Sequence, residues 1–279
     1  MMCTRFLAPI LFCTANIAAA QAPRVHATRD RLQLDGKLDE SAWQRADSID
    51  DFRQRDPSEG DAATERTVVR FLSTGDGLWI GIHAYDREPG RVLHAQLRRD
   101  TDFDTDDAVQ LMVSPLQDKR TGFLFAVNPN GAMADAEIVS FESENSDWDA
   151  VWDARAHLTS DGWVAEVFIP WQTLRYRASS TAWDVNLRRV IRRKNEDVLW
   201  RAWRRTEGIK FLERAGVVEG FVDLPPRATA ELRPYTAATG NSLSRDYNAD
   251  GTFDKTANAG LKGTFGMDAK LAPSRELTL

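Results

Sequence analysis

Thr67-Val-Val-Arg-Phe-Leu-Ser-Thr-Gly-Asp-Gly-Leu-Trp-Ile-Gly-Ile-His-Ala-Tyr85 decides how this chain is read. Two stretches rich in β-branched and aromatic residues, 67–72 and 78–85, flank Ser73-Thr-Gly-Asp-Gly77, which is the pattern of a β-hairpin. In the second stretch Leu78, Ile80, Ile82 and Ala84 fall two apart, so they share one face and leave the other for different partners.

Outward from this hairpin the same texture continues. Strands are expected at 108–113, 122–128, 151–158, 162–169, 183–193, 198–205 and 216–222, separated by turn signals such as Asn128-Pro-Asn-Gly131 and Ser160-Asp-Gly162. Many short strands without helices between them predict an all-β fold, a β-sandwich. Before the hairpin, an Asp35-Gly36 turn precedes a short helix expected to be capped by Asp39, with Trp43 and Ala46 on one face. Pro225-Pro226 punctuates the chain and marks a domain boundary.

The first residues have the form of a secretory signal. Arg5 precedes an apolar run from Phe6 to Ile17, and small residues follow at Ala18, Ala19 and Ala20, so 1–22 reads as a signal peptide that leaves the fold. Both cysteines, Cys3 and Cys13, fall in it, and a mature chain of 23–279 then has neither disulfide nor thiolate. The expected location is exported: periplasmic, outer-membrane-associated or extracellular. With 36 Lys and Arg against 42 Asp and Glu the net charge is −6, which argues against nucleic acid as a partner. The expected domains are 1–22, a sandwich over 23–224, and a β-hairpin segment over 225–279.

That last segment alternates differently. Ala257, Ala259, Leu261, Phe265, Met267, Ala269 and Leu271 interleave with Asn258, Lys262, Thr264, Asp268 and Lys270, as in a long amphipathic strand. Outer-membrane barrel strands look like this, and an ordinary exposed hairpin does too. Strands at 228–239 and 256–271 could not close a barrel, which takes at least about 8, so the chain reads as a truncated form carrying the start of one.

Several stretches together resemble a family 9 carbohydrate-binding module over about 32–222. They are Leu34-Asp-Gly-Lys-Leu-Asp-Glu-Ser-Ala-Trp43, Thr67-Val-Val-Arg-Phe71, Leu78-Trp-Ile-Gly81, Tyr85-Asp86, Asp107-Ala-Val109, Phe125-Ala-Val-Asn128 and Gly162-Trp-Val-Ala-Glu-Val-Phe-Ile-Pro170. Asn128-Pro-Asn-Gly131, Trp148-Asp149 with Trp152, and Leu174-Arg-Tyr176 further resemble the amino-terminal domain of bacterial outer-membrane proteins with a carboxy-terminal β-barrel. The resemblance implies a sandwich that binds sugar between two aromatic clamps at one edge, with a carboxylate on a nearby strand. Here the clamp segments fall near 101–106 and 208–216 and offer Phe103 and Phe211, and the carboxylate position falls at Gln110.

The residue types fit that chemistry, because flat apolar rings stack on pyranose C–H faces while planar polar groups reach hydroxyls. Trp148 and Trp152, and Trp200 and Trp203 beside Arg188, Arg189, Arg201 and Arg204, supply both kinds. Core packing is the competing role of each Trp, and Trp43, Trp163 and Trp171 are assigned to the core. If Trp200 and Trp203 share a strand, three residues apart, only one can face a ligand. The Arg cluster fits either an anionic glycan or pairing with acidic loops.

Asp246, Asn248, Asp250 and Asp254, with Gly251 at the turn, have the spacing of a calcium loop, although Ala257 replaces its bidentate Glu. A polar hairpin tip explains them equally, and charge at a solvated loop explains Asp100, Asp102, Asp104 and Asp106. The four histidines fall in no metal or nucleophile spacing. The expected function is non-catalytic binding of a polysaccharide or oligosaccharide by a module associated with polysaccharide breakdown or uptake. A structural or transport-related domain of an outer-membrane barrel is the alternative, and glycoside hydrolysis the third.

Overall fold

The computed structural model describes residues 22–141, 143–226, 230–240, 250 and 261–271. The expected signal peptide lies outside them, apart from residue 22. The chain divides into two compact units, one ending at Pro225 and the other beginning at Pro226.

In the first unit the strands are β1 His26–Ala27, β2 Ser48–Ile49, β3 Arg53–Asp56, β4 Thr67–Ser73, β5 Gly77–Tyr85, β6 Ala108–Ser114 and β7 Gly122–Val127. They continue with β8 Met133–Ser140, β9 Ser143–Asn145, β10 Asp153–Thr159, β11 Gly162–Pro170, β12 Ala182–Ile191, β13 Glu196–Leu199 and β14 Gly216–Glu219. A six-stranded sheet runs β1-β4-β5-β11-β10 with β2 on β4, and an eight-stranded sheet runs β3-β13-β12-β6-β7-β8-β9 with β14 on β12. The two inner faces share one core, so the architecture is the expected β-sandwich.

The core follows from the alternation. Leu78, Ile80, Ile82 and Ala84 of β5 all enter it, facing Val109, Leu111 and Val113 of β6. Trp163, Trp171 and Trp183 are 0%, 4% and 0% exposed, and Trp183 stacks on Phe221 with ring centroids 4.0 Å apart. A Cβ at Gly77 would come within 2.3 Å of the Phe168 ring and 2.6 Å of the Ile169 carbonyl, so glycine is required where the hairpin turns into β5.

Part of the outer face of the six-stranded sheet is covered as well. Helix α1, Ser41–Arg45, lays Trp43 and Ala42 on Leu72 and Trp79, with Leu34 and Leu38 alongside. Its N-cap is Glu40 rather than the expected Asp39, and it makes no side-chain cap bond. Packing holds this one-turn helix, because short helices draw little from propensity. Buried Glu166 of β11 accepts the Gly36 and Asp35 amides at 2.8 and 3.0 Å and the Trp43 indole N–H at 3.2 Å. Gly36 sits at φ +83°, where glycine is the undemanding residue.

One expected strand is corrected. Residues 198–205 leave the sheet after Leu199. The side chain of buried Asn186 takes over the ladder there, accepting from the Arg201 amide at 3.0 Å and donating to its carbonyl at 2.9 Å, and Ala202 turns at φ +54°. The excursion 200–215 then returns to β12 as β14. Strand β8 lay outside the expectation: Met-Ala-Asp-Ala-Glu carries few β-formers, and its place comes from full pairing with β7.

In the second unit β15, Ala230–Gly240, and β16, Leu261–Leu271, pair antiparallel along their whole length. The Tyr235 ring lies over Gly266, where a Cβ would come within 2.2 Å of it.

Candidate functional site

On the outer face of the eight-stranded sheet, β6 presents Ala108, Gln110 and Met112 in succession. Ala108 lies in a cluster with Phe103, and Met112 lies in one with Ile209 and Leu212. Gln110 falls between these patches, half-buried, with a loop rising on either side.

Cross-strand register builds the floor around it. Arg188 of β12 stands opposite Gln110, Gln110 opposite Ala126 of β7, and Ala126 opposite Ala134 of β8. Arg188 donates through Nε and Nη2 to the two oxygens of Asp197 at 2.7 and 3.0 Å, and through Nη1 to Gln110 Oε1 at 3.0 Å. Because a guanidinium only donates, this contact fixes the Gln110 oxygen toward Arg188 and leaves its amide N–H groups for other partners. Arg55 of β3 reaches Asp197 at 3.5 Å and the Arg205 carbonyl at 3.3 Å. A cleft of about 260 Å³ opens here, lined by Arg55, Arg188, Phe141 and the segment 207–210. Phe211 meets Phe141 edge-on with centroids 5.0 Å apart.

The structure brings some of the sequence candidates together and separates others. Gln110 and Phe211 stand behind the lining of this cleft, Gln110 against Arg188 and Phe211 against Phe141, while Phe103 covers the adjoining alanines and is 8% exposed, so it offers a ligand little of its ring. Trp200 is corrected to a core residue: it is 2% exposed and packs on Gly216, where a Cβ would come within 2.4 Å of the indole. Trp203 goes to the outer side, against Gly60 and the Met112 cluster, where it is half-buried. Trp152, 6% exposed, is also core, and its indole N–H donates to Asp135 at 2.9 Å. Trp148 packs on Phe123 and Phe125, away from the cleft floor. The Arg cluster divides between ion pairing, as Arg201 with Asp51 at 2.8 Å, and the cleft.

The loop 100–107 is ordered by its charges. Buried Asp106 accepts from the Gln96 amide and the Asn128 side chain, both at 2.8 Å. Burial raises its pKa, but the hydrogen bonds, those of the Gln96 and Ala95 amides foremost, hold it below the usual carboxylate range. Arg192 donates to the Phe103 carbonyl at 3.3 Å, and its amide donates to Asp107 at 2.9 Å. Of the calcium candidates, Asp246, Asn248 and Asp254 lie outside the described residues, and Asp250 sits in a turn. Among the described residues no cluster of three or more His, Asp or Glu could hold a metal.

Arg55, Asp197, Phe141 and Lys210 escaped the sequence reading. Arg55 and Asp197 reach the cleft only through the β3–β13 pairing, whose partners lie far apart in the chain. Phe141 follows the unforeseen β8.

No protein-family profile matches this chain, and no curated protein does. Solved structures of similar shape include a protein of Bacteroides uniformis provisionally described as carbohydrate-binding, with 12% identity over 60% of this chain and 85% of that one and a TM-score of 0.49. Two more are structures of a family 9 carbohydrate-binding module of Caldicellulosiruptor kristjanssonii. The complex with cellotriose has 13% identity and a TM-score of 0.48, covering 72% of this chain and 95% of that one. The complex with glucose has 12% identity and a TM-score of 0.48, covering 72% and 97%.

Proposed function

We propose that the sandwich is a non-catalytic glycan-binding module whose site is the cleft over Gln110 and Arg188. The observation that carries this is the fixed planar set of Gln110, Arg188 and Asp197, locked by mutual hydrogen bonds at 2.7 to 3.0 Å beside the Phe141–Phe211 pair. Sugars are recognised by such combinations, in which planar polar groups held in advance reach hydroxyls and an aromatic edge receives the ring. At about 260 Å³ the cleft is below the ~300 Å³ that begins the range for drug-sized ligands, so it takes one sugar ring or a chain end.

Affinity electrophoresis of residues 23–279 through gels containing polysaccharides tests the reading, with cellotriose and glucose as soluble competitors because the two structures above hold them. Retardation by at least one polysaccharide, weakened in Gln110→Ala and Phe211→Ala, is expected. Migration unaffected by every polysaccharide overturns it. In this reading the protein is exported, as its amino-terminal pattern suggests, and serves polysaccharide breakdown or uptake.

A second reading concerns the carboxy-terminal hairpin. Its strands are 11 residues each and fully paired, with Phe265 and Met267 80% and 62% exposed. Barrel strands in outer membranes take about 9–11 residues and alternate apolar with polar. In this reading the hairpin associates with an outer membrane and the sandwich serves as its soluble domain. Flotation with phospholipid vesicles, lost on deleting 226–279, is expected; recovery of the whole chain in the unbound fraction overturns it.

A further inference from the structure

The cleft is rich in donors and poor in acceptors, and this asymmetry says something about its ligand. Arg188 spends one N–H each of Nε, Nη1 and Nη2 on Asp197 and Gln110. A second N–H on each terminal nitrogen remains uncommitted among the described residues, and donors of this kind suit a carboxylate, which only accepts. The Gln110 amide nitrogen donates to no described residue, its oxygen being committed to Arg188. Arg55 adds a buried Nε without a partner.

The acceptors are fewer, Glu207, 3.9 Å from Arg214, being the lining carboxylate that stays outside a hydrogen bond among the described residues. Asp197 is shared between Arg188 and Arg55, so the triad carries one positive charge in excess. Lys210 pairs with Glu144 at 3.3 Å and Glu207 with Arg214 at 3.9 Å, so these two leave the balance unchanged. A neutral sugar brings hydroxyls that must donate as well as accept, and Glu207 is the one lining carboxylate, among the described residues, left to receive them. A carboxylate only accepts, and it answers the guanidinium and the amide N–H groups together.

We infer that the site takes a carboxylate-bearing sugar, a hexuronate residue of an acidic polysaccharide, with Arg188 as the residue that selects it. The inference rests on the glycan-binding reading and narrows it. The carboxylate lies against the uncommitted N–H groups of Arg188, the Gln110 amide donates to a carboxylate or ring oxygen, and Arg55 supplies the longer-range attraction.

The test is affinity electrophoresis and calorimetry of residues 23–279 with polygalacturonate, its fully methyl-esterified form, a neutral β-glucan and dextran sulfate. Retention by polygalacturonate alone is expected, weakening as salt is raised. Arg188→Gln should weaken it about tenfold or more, as loss of charge-assisted hydrogen bonds does. Should that variant unfold, Gln110→Glu tests the same point from a half-buried position, since it replaces a free donor by an acceptor beside Arg188 and should abolish polygalacturonate retention. Binding of the neutral β-glucan or the methyl ester as tightly as the acid overturns the inference and leaves glycan binding standing. Equal retention by dextran sulfate, unchanged in Gln110→Glu, also overturns it, by showing general anion attraction. Retention by none of the four, together with none in the wider panel, overturns both readings.

Discussion

On the six-stranded sheet, the outward side of β5 bears Gly81 under Leu38 and Trp43, and a carboxylate below them is consumed by three N–H groups of the chain itself. On the eight-stranded sheet, the outward side of β6 bears Gln110 between two covered patches, and the polar groups around it keep donors in reserve. Both faces carry buried or half-buried polar side chains within similar strands. Each face keeps a polar atom or two without a partner, Arg70 Nε and Glu40 Oε2 on the first and Arg55 Nε on the second; they differ in that on the eight-stranded sheet the unspent donors stand beside an open cleft, and that is what separates a binding face from a structural one.

Removing the plug should therefore cost most. Trp43→Ala takes a 1%-exposed indole out of the cluster it forms with Leu72 and Trp79, which should destabilise by about 3–5 kcal/mol. Chemical denaturation reads this directly, and a loss below about 1 kcal/mol would mean that the helix is an ornament on an independently stable sandwich. Binding per folded molecule should be unchanged, since no described contact joins this helix to the cleft.

The same plug has a pH signature. Burial, together with the charge of Glu40, outweighs the hydrogen bonds of Gly36, Asp35 and Trp43 and raises the Glu166 pKa from 4.5 to about 7. The folded state thus holds a proton between those values that the unfolded state has released. This contribution to stability is greatest below about pH 4.5 and is lost as pH rises through about 7, by roughly 3 kcal/mol at ~1.4 kcal/mol per unit. Glu166→Gln removes the titration, so the stability difference between variant and parent should shift in the variant's favour from pH 5 to pH 8. A difference that stays constant across that interval sinks the assignment.

The core, and Trp43 on the covered face, were far more legible in the sequence than the open face. Period-two alternation at Leu78, Ile80, Ile82 and Ala84 and the assignments of Trp43, Trp163 and Trp171 follow from burial, which acts locally and leaves a local trace. Parity separated Trp200 from Trp203 but left open which of them faces outward; Trp200 continues the inward alternation of Val198, and Trp203 lies on the outer side with Leu199. Gln110 and Phe211 were reached through the resemblance. Arg55, Asp197 and Phe141 join them only through long-range pairing of strands with weak signals of their own.

On the open face the effects should be smaller and should separate stability from binding. Asp197→Asn keeps the shape but halves the acceptor that holds Arg188 and Arg55. A loss of about 1.5–3 kcal/mol is expected, the range for hydrogen bonds to a charged group. Glycan affinity should fall further than stability, because Arg188 loses the partner that aims it. Equal loss in both would make Asp197 a structural residue with no part in positioning.

The smallest stability effect should come from Phe211→Ala. Its ring meets Phe141, itself 45% exposed, in an edge-on contact at 5.0 Å, and such pairs contribute about 0.5–1.5 kcal/mol beyond the area they bury. Partial exposure should place the loss at or below about 1 kcal/mol. The loop itself is held by Ile209 and Leu212 on Met112, so it should keep its place without this ring. Binding should nevertheless weaken several-fold, since the Phe141 ring at the cleft loses its partner while Gln110 and Arg188 stay paired. Unchanged affinity would move the apolar side of the site to Phe141 alone. A fall in stability as large as that of Trp43→Ala would show instead that Phe211 plugs its sheet as Trp43 does, and the distinction between the two faces would not survive.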